Sequence, residues 1–116
     1  MKKVMLLCGS PRVRGNTAQV VEDCAKVIRE SGLETDIVSL AGMKIESCTA
    51  CYRCREEGNC VLEDGLSGII DCLRDTDGFI VASPVYFRTA RGDVMAALQR
   101  IGMISMATDH FLSGKV

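Results

Sequence analysis

Apolar residues along this chain fall into two kinds of pattern, short continuous runs and longer stretches that repeat every three or four positions. "KVMLLC" (Lys3–Cys8) is a continuous run closed by Gly-Ser-Pro, which predicts a buried strand followed by a loop. Residues 16–32 place Thr17, Val20, Val21, Cys24, Val27 and Ile28 at helical spacing, with Asn16 expected as the N-cap and Gly32 as the stop. "ETDIVSL" (Glu34–Leu40) predicts a second strand, and the cysteine-bearing segment that follows reads as a loop. Residues 64–77 predict a helix with Leu66, Ile69, Ile70 and Leu73 inward, and "GFIVAS" (Gly78–Ser83) a third buried strand. Residues 88–105 predict a last helix with Val94, Met95, Leu98 and Ile101 inward.

Strands that alternate with helices and are apolar throughout argue for a parallel sheet covered on both faces, an α/β fold. The 116 residues allow one domain, 1–116, without internal repeats. Three strands would leave the apolar third strand as an open edge, and "GKV" at the end resembles the start of a fourth. The expectation is therefore a doubly wound sheet, C-terminally incomplete. "VMLLC" is too short for a signal-peptide core and no run approaches a membrane span, so a cytoplasmic location is expected. A net charge of −1 gives no bulk attraction to nucleic acid or membrane. Before Glu22, however, the charged side chains Lys2, Lys3, Arg12 and Arg14 are all basic, which suggests a local anion site.

The loop "CGSPRVRGNTA" joins the first strand to the first helix, at the end of a parallel sheet where ligands bind. A helix N-terminus there holds phosphate through free N–H groups, with side-chain donors from Ser10, Asn16 and Thr17 and charge from Arg12. The nucleoside-triphosphate loop is excluded, because Gly9 and Gly15 are one residue too far apart and Asn16 replaces the lysine. The dinucleotide fingerprint is absent. Cys8 and Arg14 have the spacing of a phosphatase loop, but Gly15 stands where a hydroxyl residue is needed, and no Asp-Pro acid follows.

With "GSPRVRGNTA" after the first strand and "SPVYF" after the third, the chain resembles the flavodoxin-like, NAD(P)H-dependent FMN reductases. That resemblance implies a three-layer α/β/α flavodoxin-like sheet that binds FMN. It assigns Ser10, Arg12, Asn16, Thr17 and Ala18 to the FMN phosphate, and Pro84, Val85, Tyr86 and Phe87 to the flavin ring. A proline-stiffened turn with aromatic side chains suits a flat apolar ring.

Seven cysteines is an odd number for a disulfide framework, and four of them form C-x2-C-x2-C-x5-C: Cys48, Cys51, Cys54 and Cys60. Such close thiolates suit a [4Fe-4S] cluster, in which each iron takes one sulfur ligand. Structural zinc more often takes two separated pairs, and free or disulfide-linked thiols remain a third reading. The spacing and position are similar to those of the iron-sulfur flavoproteins within the same superfamily. The resemblance implies an oxidoreductase passing electrons between FMN and the cluster, with NAD(P)H as donor. It also implies ferredoxin or another small carrier as partner, and a homo-oligomer, dimer or tetramer. No side chain is assigned as a catalytic acid or base. A cluster-free FMN or quinone reductase and a non-catalytic zinc-binding module are the alternatives. Cys8, Cys24 and Cys72 are expected in the core, His110 at the surface, and Met95, Met103 and Met106 in packing roles.

Overall fold

The computed structural model describes residues 2–12, 14–62 and 64–116. Three parallel strands, β1 (Lys3–Cys8), β2 (Glu34–Ser39) and β3 (Gly78–Ala82), form a sheet in the order β2-β1-β3. Leu6 lies opposite Ile37 on one side and Ile80 on the other. The central strand explains its own composition. Leu6 and Cys8 face helix α1 (Asn16–Glu30), whereas Met5 and Leu7 face helices α3 (Leu66–Arg74) and α4 (Gly92–Ala107). A strand covered on both sides must be apolar at every position. Met5, Leu6 and Leu7 are fully buried, and each contributes about 1.5–3 kcal/mol of transfer free energy.

The expected helix over 64–77 is α3, with Leu66, Ile69, Ile70 and Leu73 all buried. The other helices differ from expectation in detail. In α1 the sheet-facing residues are Val21 and Ala25, flanked by Ala18, Cys24 and Ile28. Val20 and Val27 are 55% and 61% exposed. At about 100° per residue the expected face and the observed one are equally wide, about 120°, but the observed face is turned by roughly 60° toward Ala18 and Ala25, whose small side chains let the helix approach the sheet. Asn16 is the first helical residue rather than the cap; Gly15 occupies the cap position, with no side-chain capping bond.

Helix α4 buries Val94, Ala97, Arg100, Ile101 and Ile104, while Met95 is exposed and Leu98 half-buried. Apolar residues surround this helix almost completely, so residue size did not mark its inner side. Alanine permits the close approach that the longer side chains would block.

Three elements lie outside the expected order. Within the cysteine segment a single turn, α2 (Cys54–Glu57), ends at Gly58 in the left-handed region. After β3, strands β4 (Val85–Tyr86) and β5 (Thr89–Ala90) form a hairpin. Its central residues Phe87 and Arg88 have φ of 48° and 65°, as a type I′ turn requires. Strand β3 is a sheet edge rather than a buried strand, with Val81 37% exposed. The Phe79 N–H donates to the Val116 carbonyl at 2.8 Å and the Val116 N–H to that of Asp77 at 3.0 Å, the pairing of a parallel strand.

Candidate functional site: a nucleotide loop and a four-cysteine cavity

The chain winds from β1 to β2 on one side, then crosses back to place β3 on the other. The carboxyl ends of β1 and β3 therefore flank the point where the winding reverses, the crevice in which such sheets bind ligands. One pocket opens there, lined by Ser10, Pro11, Arg12, Gly15, Asn16, Thr17, Pro84 and Tyr86. Six of the nine residues expected at FMN thus meet around a single cavity. Ala18 instead packs toward the sheet beside Val21, and Val85 and Phe87 point away into solvent, 76% and 98% exposed.

The chemistry of this pocket suits an anion. Helix α1 has no acidic residue in its first turn and no side-chain cap, so its first N–H groups are available to a ligand. The buried Ser10 hydroxyl accepts the Arg12 N–H at 3.1 Å and holds the loop's bend. Gly9 sets the loop's depth: its N–H donates to the Ala82 carbonyl at 2.7 Å, tying the end of β1 to that of β3. A Cβ on Gly9 would stand 2.1 Å from Val94 Cγ2, so any larger residue forces the Val94 side chain or α4 to shift. The basic residues divide. Arg12 lines the pocket, whereas Lys3 begins β1 at the opposite end and pairs with Asp36 at 3.1 Å, which raises its pKa. Val13 lies outside the described residues.

A second cavity gathers Cys48, Cys51, Cys54 and Cys60, together with Thr49, Tyr52, Arg100, Met103 and Ile104. Cys48 and Cys51 are exposed, Cys54 is buried in the core, and Cys60 is half-buried. The segment is shaped around its sulfurs. The Ala50 N–H donates to Cys48 Sγ at 3.4 Å, and an Arg100 Nη2–H donates to Cys60 Sγ at 3.4 Å. The Arg53 backbone N–H holds the Cys51 thiol below its usual range. Ala50 and Tyr52, each beside Cys51, adopt φ of 57° and 60°. Left-handed non-glycine residues cost about 1–2 kcal/mol each. Within this bent backbone the N–H groups of Ala50 and Arg53 are directed at the sulfurs of Cys48 and Cys51. Four cysteine sulfurs lining one cavity, with N–H donors at Cys48, Cys51 and Cys60, are a donor set whose chemistry suits an iron-sulfur cluster. Among the described residues no three His, Cys, Asp or Glu side chains are drawn together as they would be around a single metal ion.

The remaining thiols have structural surroundings. Cys8 is buried at 4% exposure, so the phosphatase-like spacing with Arg14 carries no reactive thiol. Cys24 packs half-buried on α1, and Cys72 donates to Asp36 Oδ2 at 3.4 Å, its pKa raised by burial and by that carboxylate. His110 is exposed, as are Met95 and Met106. Lys44, Arg53 and Arg55 stay in solvent, with Arg53 paired to Glu57 at 3.0 Å.

Arg100 went unseen in the sequence. It stands in the inward row of α4 at 1% exposure, paired with Asp64. Its position between Ala97 and Ile104 was the available signal, since a charge at inward spacing demands a buried partner. The two cavities are connected through this helix. Val94 packs at Gly9, and Arg100 and Ile104 lie roughly two to three turns further along, about 9–15 Å at 1.5 Å per residue.

Comparisons with known proteins agree with this geometry. A family model described as NADPH-dependent FMN reductase matches residues 2–116. An iron-sulfur flavoprotein of Methanocaldococcus jannaschii is 39% identical over 99 residues, 85% of this chain and 49% of that protein. One from Methanosarcina thermophila is 34% identical over 98 residues, 84% and 51% of the two chains. The chain spans about half the length of the curated relatives it matches. Among solved structures, RosB with a bound 8-demethyl-8-formylriboflavin-5'-phosphate intermediate superposes with a TM-score of 0.72 at 19% identity, over 88% of this chain and 42% of RosB. The apo form of the NADH:FMN oxidoreductase EMOB does so at 0.60 and 20% identity, over 99% and 55%. These two establish the flavodoxin-like fold. With the family model matched from end to end, the chain belongs to the NADPH-dependent FMN reductase family.

Proposed function

We propose that this chain binds FMN at the β1–α1 loop and a [4Fe-4S] cluster on Cys48, Cys51, Cys54 and Cys60, and acts as a flavin-dependent oxidoreductase that passes electrons between the two. The observation that carries the reading is the convergence of those four thiols on one cavity, in a chain whose curated relatives are named iron-sulfur flavoproteins.

Bound FMN supplies two-electron chemistry and the cluster one-electron chemistry, so together they join a hydride donor to a single-electron carrier. The chain's own residues bind and orient. Ser10, Asn16, Thr17 and the first N–H groups of α1 receive the phosphate, and Arg12 adds positive charge. Ala18 supplies backbone in that first turn. Pro84 and Tyr86 border the ring, while Val85 and Phe87, which face away from this pocket, take no part in it. A cluster would be held by Cys54 and Cys60 on the buried side of the segment and by Cys48 and Cys51 on its exposed side. NAD(P)H as hydride donor, ferredoxin or a similar small carrier as partner, and assembly into dimers or tetramers belong to the same proposal. Among the described residues no helix is long and apolar enough to cross a membrane.

The test is to quantify iron, acid-labile sulfide and flavin per chain after anaerobic purification. About four irons, four sulfides and one FMN are expected, with the iron lost on Cys51→Ala. Flavin without iron would leave a cluster-free reductase. Zinc without flavin would leave a metal-binding module. Iron unaffected by Cys51→Ala would refute the ligand set.

A further inference from the structure

Arg100 is the largest fully buried side chain among the described residues, and it lies among Ala97, Ile101 and Ile104 rather than at the surface. Its guanidinium reaches both ends of the cysteine segment. Nη1 donates to Asp64 Oδ2 at 2.5 Å and to the Glu46 carbonyl at 3.1 Å. Nη2 donates to Asp64 Oδ1 at 3.0 Å, to the Leu62 carbonyl at 3.4 Å, and to Cys60 Sγ at 3.4 Å. Nε has no hydrogen-bond partner among the described residues. Asp64 in turn accepts the N–H groups of Glu46 and Leu66, each at 3.2 Å.

Fastening the loop does not by itself call for a buried cation. Asp64 already ties Glu46 to the start of α3, and a buried ion pair is often no more stabilising than apolar residues of similar volume. The contact that fastening leaves unexplained is the one to the sulfur. Resting on the cluster assignment, we propose that Arg100 is a positioning residue for the cluster: it fixes Cys60 Sγ and raises the cluster's reduction potential, and Asp64 limits the rise.

The physical reason is charge. Four thiolates make a cluster anionic, and reduction adds one more negative charge. A cation hydrogen-bonded to a ligand sulfur stabilises the reduced form more than the oxidised one, and burial strengthens the effect. Outer-shell hydrogen bonds of this kind orient and tune metal ligands generally. Asp64, the opposing charge on the same guanidinium, acts with the reverse sign. The two charges therefore predict opposite shifts, which a fastening role alone would not produce.

The experiment is a dithionite titration of the anaerobically purified protein, followed by electron paramagnetic resonance, on wild type, Arg100→Gln, Arg100→Lys and Asp64→Asn, with iron counted on the same samples. Arg100→Gln is expected to disfavour the reduced cluster at least tenfold, about 59 mV for one electron. Asp64→Asn should favour it by a comparable factor, and Arg100→Lys, which keeps the charge without the fork, should fall between wild type and Arg100→Gln. Should Arg100→Gln not fold, the sign of the Asp64→Asn shift decides. Iron retained with potentials unchanged, shifts of one sign in both variants, or iron lost from both in a folded chain would overturn the proposal. A wild type without iron would remove the cluster reading itself, and the proposal with it.

Discussion

Gly9 offers a direct test of how closely the β1–α1 loop and α4 are fitted. An alanine Cβ there would lie 2.1 Å from Val94 Cγ2 and 3.0 Å from the Ala82 carbonyl oxygen. Carbon atoms rest about 3.5–4.0 Å apart, so roughly 1.5 Å must be opened. Val94 is fully buried and β-branched, and in a helix its χ1 has one strongly preferred well, so it cannot swing aside cheaply. Overpacking of this kind costs about 1–3 kcal/mol, and Gly9→Ala should reach the upper end. Val94→Ala removes the obstructing methyl groups at a cavity cost of about 2 kcal/mol. In the double variant alanine fills part of that space, so the two losses should combine to at least about 1 kcal/mol less than their total. Urea denaturation of the four proteins measures the cycle, and FMN titration of the same samples should show weaker binding in Gly9→Ala, because Ser10 follows directly. Additive losses, within about 0.5 kcal/mol, would refute the claimed contact.

Three further outcomes follow from other parts of the site. Thr17→Asp places a negative charge in the uncapped first turn of α1, so the apo protein should gain about 0.3–1 kcal/mol while FMN affinity falls at least roughly tenfold; a gain in both would argue against phosphate binding there. Arg88→Gly should stabilise the hairpin by about 0.5–1 kcal/mol in thermal melts, because φ of 65° strains arginine more than glycine loses in chain entropy. Burial pushes the Asp64 carboxyl up, but the Arg100 guanidinium and the N–H groups of Glu46 and Leu66 outweigh it and hold the pKa below the usual 3.8. Such a group adds stability in full above its unfolded value and loses it as pH falls through the lower folded one, so unfolding should steepen below about pH 4. Asp64→Asn should flatten that acid limb and cost about 3–5 kcal/mol at neutral pH, since Arg100 is left without its counter-charge.

The parts of this fold legible in the sequence are those where one physical demand dominates. A strand buried on both faces must be apolar throughout, and β1 reads that way at every position after Lys3. Helix α3 shows one clean inward row because its other side meets solvent. Where demands overlap, the reading slipped. Val20 and Val27 look inward by residue type, yet the arc that meets the sheet is centred on Val21 and Ala25. Helix α4 is apolar on nearly every side, and its inner row contains alanines and an arginine that residue type alone assigns elsewhere. The hairpin had no signal, since a type I′ turn normally announces itself with Asn-Gly and here uses Phe87 and Arg88. The cysteine pattern was legible because thiolate spacing is local. Its partner in α4 was not, because Arg100 meets Cys60 only through the fold.

Backbone strain marks the same two places without any appeal to relatives. Among the described residues five non-glycine residues have positive φ: Ala50 and Tyr52 sit between the cysteines, Phe87 and Arg88 form the tip of the hairpin beside the β1–α1 loop, and His110 lies apart after α4. Val85 and Phe87 at this hairpin are among the large apolar side chains most open to solvent, together with Val27, Met106 and Val116 elsewhere, and Tyr52 and Tyr86 are about half exposed. Local rules are broken together at these segments, while the core of β1 and α3 obeys them. Strained backbone persists where the surrounding structure over-determines it, and exposed apolar surface is retained where something covers it. Neither cost lowers the free energy of the sheet, whose strands are held by their own ladder and by the two buried clusters. Both costs become intelligible if each segment is shaped for a guest, an anionic cluster beneath bent N–H groups in one case and a flat ring beside apolar side chains in the other.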